Sequence, residues 1–321
     1  MRNNTADIIR GFAMLLVVLG HTISGTVRDY SNSLLFQAIW TLQMPLFIII
    51  SGYVTRYSRP ITRKNDLWKF IKKRSLAYLL PWMVWSIIVR GLIFGQTYFL
   101  DLKHMLWHMD SGYWFLITIW SISMIFGLAD FLSNRYFKNR PTNILTHLVL
   151  FGIGLIGLVV LGYFTEIEFF SIKLTLYYSP IYLIGYIYGQ IQDQLLLKAK
   201  IKTIINYIII VSLGLWLASI NRIDFFGGED SIRIAIERFI TSILGCIAII
   251  GLFAKINDKA SSFKFIKWVG VHSLEIYLTH YLFLKLAPAT DLPALTSIHR
   301  SHHKLNTNAY THNSDNQNHT K

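Results

Sequence analysis

The sequence predicts an all-α, polytopic transmembrane helix bundle of about nine spans, and three observations predict it. Of the 321 residues, 53% are hydrophobic and only 15% charged, with a mean hydropathy of +0.42. That is more apolar matter than the core of one soluble domain absorbs. Stretches of the length needed to cross a bilayer, roughly 20 mostly apolar residues, recur at 8–23, 34–54, 75–94, 113–133, 144–164, 174–191, 203–220, 232–254 and 268–287. Each is about twice as long as a barrel strand, and a chain inside lipid must satisfy its backbone internally, so the spans are read as helices.

The first span, 8–23, is expected to stay in the mature protein, because Arg10 interrupts the apolar run and no small-residue cleavage site follows His21. Arg10 and His21 are 11 residues apart, which at 100° per residue falls about 20° beyond three full turns, with about 16 Å of rise between them. They share a face, and Asp7 lies three residues before Arg10 on the same stripe. Charges at membrane depth cost roughly 2.5 to 3.5 kcal/mol each, so they turn toward protein or a wet cavity. One reading has Arg10 snorkelling beside Asp7 while His21 caps the outer helix end. The other makes His21 a general base at the end of a polar channel that begins at Arg10.

The second span contains MPLFIIISGYV, residues 44–54, in which Pro45 predicts a kink and Ser51-Gly52 a close helix approach. Residues 55–74 follow, rich in bases and carrying Trp68 and Phe70, and read as an interfacial amphipathic segment. At its end Lys72, Lys73 and Arg74 precede LAYLLPWMVW and gather positive charge at the inner mouth of the third span. They either anchor the chain or hold the phosphates of a cytosolic donor. The fourth span opens with YWFL, residues 113–116, where Trp114 reads as an interface aromatic.

The fifth to seventh spans rest on length and apolarity alone. In the eighth, the single cysteine, Cys246, falls in an apolar run, which excludes disulfides and cysteine metal sites and leaves packing as its role. Arg233 and Glu237 form an i,i+4 pair there, next to Arg238. The ninth span contains SLEIYLTH, residues 273–280, where Glu275 and His280 are intramembrane polar groups in need of partners. After Leu286 the chain becomes polar and rich in His and Asn. The division expected is a membrane domain over 1–287 and a disordered tail over 288–321, without internal repeats. His299, His302 and His303 could take stray metal, but no dedicated metal site is expected.

The net charge of +14 is a topology signal. With the N-terminus inside, nineteen bases fall in cytoplasmic segments and four in the opposite loops, the asymmetry of the positive-inside rule. Anionic membrane lipid is the natural partner and nucleic acid is not.

The ordered set D-x-x-R-G…H in the first span, MPLF…SGY in the second, KR-x-x-x-x-x-x-P at the third, WFL in the fourth and S-x-E-I-Y-x-x-H near the end resembles the membrane acyltransferase 3 family. These are bacterial O-acyltransferases, usually O-acetyltransferases of cell-surface glycans, and the likeness runs from Asp7 to His280. The spacing from Arg74 to Pro81 and the following WMVW look closest to members found with exopolysaccharide synthesis genes. Ala77 stands where many members repeat a base, and the family usually has ten spans against the nine and polar tail read here.

The resemblance implies acetyl-CoA or another acyl-CoA as donor, no metal, and a hydroxyl of a cell-surface polysaccharide or lipid-linked sugar as acceptor. It implies a multi-pass protein of the bacterial cytoplasmic (inner) membrane, and the charge asymmetry sets its N-terminus in the cytoplasm. His21 and Arg10 then match the family's functional pair, and Asp7 orients Arg10. Arg74, Lys73, Lys72 and Arg10 would hold the donor, with Trp114, Ser51, Glu275 and His280 in substrate or supporting places. Two other readings stand beside it: a glycan or lipid transporter or flippase of the exopolysaccharide-export type, using the same charges as a polar path, and an inactive interaction scaffold.

Overall fold

A computed structural model describes residues 3–27, 30–109, 112–137, 140–164, 169–196, 199–220, 232–256 and 263–286. The tail expected at 288–321, with its three histidines, lies outside the described residues. The regular elements are helices throughout: α1 (Asn4–Thr26), α2 (Leu34–Tyr53), α3 (Lys64–Trp85) continued by a π-helical stretch (Ser86–Ile93), α4 (Leu102–Trp107), α5 (Trp114–Tyr136), α6 (Arg140–Phe164), α7 (Ile172–Leu196), α8 (Ala199–Ile220), α9 (Ile232–Ile256), α10 (Lys264–Val271) and α11 (Ser273–Leu286). Among the described residues, seven helices are long and apolar enough to cross a membrane. The stretch expected at 174–191 falls within α7, and the last one is divided at His272 between α10 and α11.

Glycine sets the closest helix contacts, since lipid offers no hydrophobic drive between helices and close backbone approach must supply the packing. A Cβ on Gly52 would overlap the carbonyl of Tyr182, and one on Gly185 would overlap that of Ile49, so α2 and α7 touch backbone to backbone. Gly11 and Gly270 make the same kind of contact between α1 and α10, against the carbonyls of Ile266 and Asp7. The close approach expected of Ser51-Gly52 is therefore present. α2 runs through Pro45 as one continuous helix.

Residues 64–74 are not a separate interfacial segment but the opening turns of α3. Asn3 caps α1, its side chain accepting from the Ala6 amide at 3.1 Å and donating to Tyr57 at 2.8 Å. Asp130 of α5 accepts the Ile61 amide at 2.8 Å and stands 3.8 Å from the buried His147 of α6. These contacts tie the chain between α2 and α3 to the bundle, because a half-buried carboxylate needs a donor.

Two apolar clusters fill the interior. One gathers Leu46, Ile48, Ile50, Ile122, Phe151 and Ile181, with Cys246 fully buried among them. The other gathers Met14, Val17, Met44, Met105, Met109 and Leu116 around Trp82 and Tyr113.

Candidate active site

Arg10 and His21 both turn into the bundle, toward different ends of it. At the N-terminal end Arg10 faces Arg74 across a cavity with about 40 Å³ of room for water-sized molecules, lined also by Ser51, Tyr78, Ser123 and Tyr182. Asp7, 2% exposed, lies 3.7 Å from the Arg10 guanidinium and offsets part of its charge. Arg74 donates to the Tyr78 hydroxyl at 3.1 Å and lies over the Phe70 ring, 5.4 Å from its centroid. Two guanidiniums against one buried carboxylate leave the cavity positive and lined by forked donors, which suits a phosphate. Ser51 donates to the Phe47 carbonyl at 2.7 Å while lining the same space. Lys72 and Lys73 are exposed on the neighbouring turn and do not line it.

At the other end His21 lies among rings. Its centroid is 5.0 Å from that of His280 and 5.1 Å from that of Tyr281. The guanidinium of Arg90, on the π-helical stretch, sits over the Tyr281 ring at 4.8 Å. A second tyrosine, Tyr113, packs its ring 5.5 Å from that of Tyr281 and donates to the Leu278 carbonyl at 2.8 Å, fixing α11 to the start of α5. His280 places Nδ1 2.5 Å from the Tyr277 carbonyl. A carbonyl can only accept, so Nδ1 carries the proton and Nε2 presents its lone pair. That Nε2 is buried and has no hydrogen-bond partner among the described residues.

His21 does not cap α1, which continues to Thr26 and is capped at Val27. Between the two polar ends, Met14 and Val17 are fully buried on the same side of α1. The stripe is thus polar, apolar, polar.

Trp114 stacks on Tyr178 at 5.9 Å and 17°, next to Tyr113. Glu275 is not brought to the site: its side chain is exposed, five residues before His280 and so about 140° around the helix. Arg233 and Glu237 pair at 2.9 Å on the surface, as the spacing predicts.

Sequence reasoning passes over Arg90, Tyr113, Tyr281, Trp82 and Ser86. A signal was available on the third span: Arg74, Tyr78, Trp82, Ser86 and Arg90 recur every four residues, with an arginine at each end. The π-helical turn that carries Arg90 is a feature frequent at functional sites and leaves no such mark in the sequence.

Comparison with known proteins adds an independent finding. The sequence profile of the acyltransferase 3 family, described as an acyltransferase domain, matches residues 3–291. The nodulation protein NolL of Sinorhizobium fredii is 26% identical over 206 residues, 60% of this chain and 50% of that protein. NolL of Mesorhizobium japonicum is 27% identical over 141 residues, 41% of this chain and 36% of the relative. The matched part thus spans half or less of these curated relatives. No solved structure matches the chain.

Proposed function

The chain belongs to the acyltransferase 3 family, and on that premise we propose that this membrane acyltransferase moves an acyl group, in the first instance acetyl, from cytosolic acyl-CoA to a hydroxyl of a cell-surface polysaccharide or lipid-linked sugar. The observation that carries the reading is the division of labour along α1. A positive cavity of Arg10 and Arg74 stands at one end, and an imidazole pair of His21 and His280 at the other.

In this reading the donor's phosphates rest against Arg10 and Arg74 at the cytoplasmic end, with Asp7 holding Arg10 in place. The acceptor hydroxyl oxygen attacks the thioester carbonyl carbon near His21. As the C–O bond forms and the C–S bond breaks, His21 takes the hydroxyl proton and returns it to the departing thiolate. General base work of this kind is worth typically 10² to 10⁴ in rate. Arg90, over the Tyr281 ring that packs against His21, supplies positive charge beside the carbonyl oxygen as it becomes an oxyanion. The chain sits in the bacterial inner membrane with its N-terminus in the cytoplasm, the orientation that puts the basic turns of α3 beside soluble CoA.

Purified protein in liposomes with labelled acetyl-CoA tests the proposal. Free thiol should appear with an acceptor glycan present and vanish with His21→Ala. Movement of the glycan across the bilayer without thioester cleavage would instead make the chain a transporter.

A further inference from the structure

We propose that the interior side of α3 and its π-helical continuation, through Trp82, Ser86 and Arg90, is the track on which the amide-bearing arm of the acyl-CoA lies, with the thioester held between Arg90 and His280. This rests on acyl-CoA being the donor. Trp82 Nε1, Ser86 Oγ, Arg90 Nε and His280 Nε2 are all buried and have no hydrogen-bond partner among the described residues. Trp82 is 3% exposed and Ser86 0%. A buried polar atom without a partner costs free energy, and at membrane depth water does not readily relieve it. Several such atoms in succession mark a place where a polar ligand completes them.

Their order tells which ligand. The series begins where Arg74 and Tyr78 line the positive cavity and ends, 16 residues on, at Arg90 over Tyr281. At 1.5 Å per residue that is about 24 Å along the helix. A molecule fitting it has phosphates at one end, a reacting carbonyl at the other and amides between. Coenzyme A thioesters have that form. The indole N–H and the guanidinium donate to carbonyls, the Ser86 hydroxyl does either, and His280 Nε2 accepts from an amide or hydroxyl. The packing around the track suits a guest: Met14, Met44, Met105 and Met109, four of the chain's seven methionines, belong to the cluster that holds Trp82. Methionine is the apolar side chain that repacks most readily around an irregular object.

The test uses the full chain with Cys246→Ser, so that Ser86→Cys carries the one thiol. Desulfo-CoA, which keeps both nucleotide and arm, should slow labelling of that thiol by a methanethiosulfonate reagent severalfold. Adenosine 3′,5′-bisphosphate, which occupies the cavity without the arm, should leave the rate unchanged. Equal rates with both probes, or no labelling at all, would overturn the track. Trp82→Phe keeps the bulk and removes the donor, and should raise KM for acetyl-CoA about three- to tenfold, the worth of one hydrogen bond, with kcat held. An unchanged KM would also overturn it. If the wild type releases thiol from acetyl-CoA while the engineered thiol stays unprotected, the track alone fails. Without any thiol release the donor reading itself fails.

Discussion

The two buried clusters of this bundle follow one another along α1 and α5 and are built from different materials. The cluster centred on Leu46, Ile48 and Ile181 is aliphatic and aromatic, and next to it α2 and α7 meet backbone to backbone through Gly52 and Gly185. The cluster around Trp82 and Tyr113 is rich in methionine, is bordered by a π-helical turn, and holds the Trp82 indole N–H, which has no hydrogen-bond partner among the described residues. In lipid the first arrangement is what stability favours, since close packing and complete backbone pairing are the available sources of it. The second gives some of that up. What the difference teaches is where packing is closest and where, on the proposed reading, the molecule admits its donor.

The sharpest way to break this division is to remove the base. His21→Ala should lower acyl transfer by about 10² to 10⁴, while the melting temperature in detergent stays near that of the wild type, because the contacts of the His21 side chain are with the rings of His280 and Tyr281. A parallel fall in melting temperature would put His21 in the structural half instead. Arg10→Lys should come next: a point charge loses the forked geometry, and with it about 1.5 to 3 kcal/mol of phosphate grip. That is a rise in KM for acyl-CoA of about ten- to a hundredfold, read from initial rates.

Two substitutions then compare the clusters directly. Gly52→Ala pushes a methyl group into the Tyr182 carbonyl, and the rigid half has no side chain there that can move aside. It should cost about 1 to 3 kcal/mol of stability, visible as a lower melting temperature with kcat per folded molecule preserved. Met14→Leu should do the reverse. A volume-conserving swap costs less than about 1.5 kcal/mol, so thermal stability changes little. The stiffer side chain between Arg10 and His21 should nonetheless lower kcat/KM for acyl-CoA. Equal effects on both readouts in the two variants would erase the distinction between the clusters.

The sequence carried much of this and concealed a definable part. The spans follow from apolar length, and the common face of Asp7, Arg10 and His21 from the 3.6-residue period, because both are local properties of one helix. Arg90 is a property of two. In its own span it reads as an arginine near an apolar end, and its meaning depends on α11 bringing Tyr281 beneath it. Glu275 misleads for the opposite reason: it stands in an apolar run as His280 does, but the break at His272 and the helical turn between them leave it facing outward. The pairing of Asp130 with His147 and the Ile61 amide likewise needs three segments that only the fold brings together.

The smallest effect is expected at Lys73, and it separates the cavity from its surroundings. Lys73 is exposed one residue before Arg74, which lines the cavity. An exposed charge is screened over about 8 Å at physiological ionic strength and contributes little to a contact. Lys73→Ala should therefore change KM for acyl-CoA less than about twofold at 0.15 M salt. At low salt the wild type should gain the larger share of the rate, because steering of an anionic donor toward the mouth is a long-range effect that salt suppresses. Arg74→Ala should weaken binding at both ionic strengths, since a guanidinium turned into a cavity is shielded from that screening. A Lys73 effect as large and as insensitive to salt as that of Arg74 would mean that the phosphates bind at the surface turn of α3, and the cavity between Arg10 and Arg74 would lose its place as the donor's entrance.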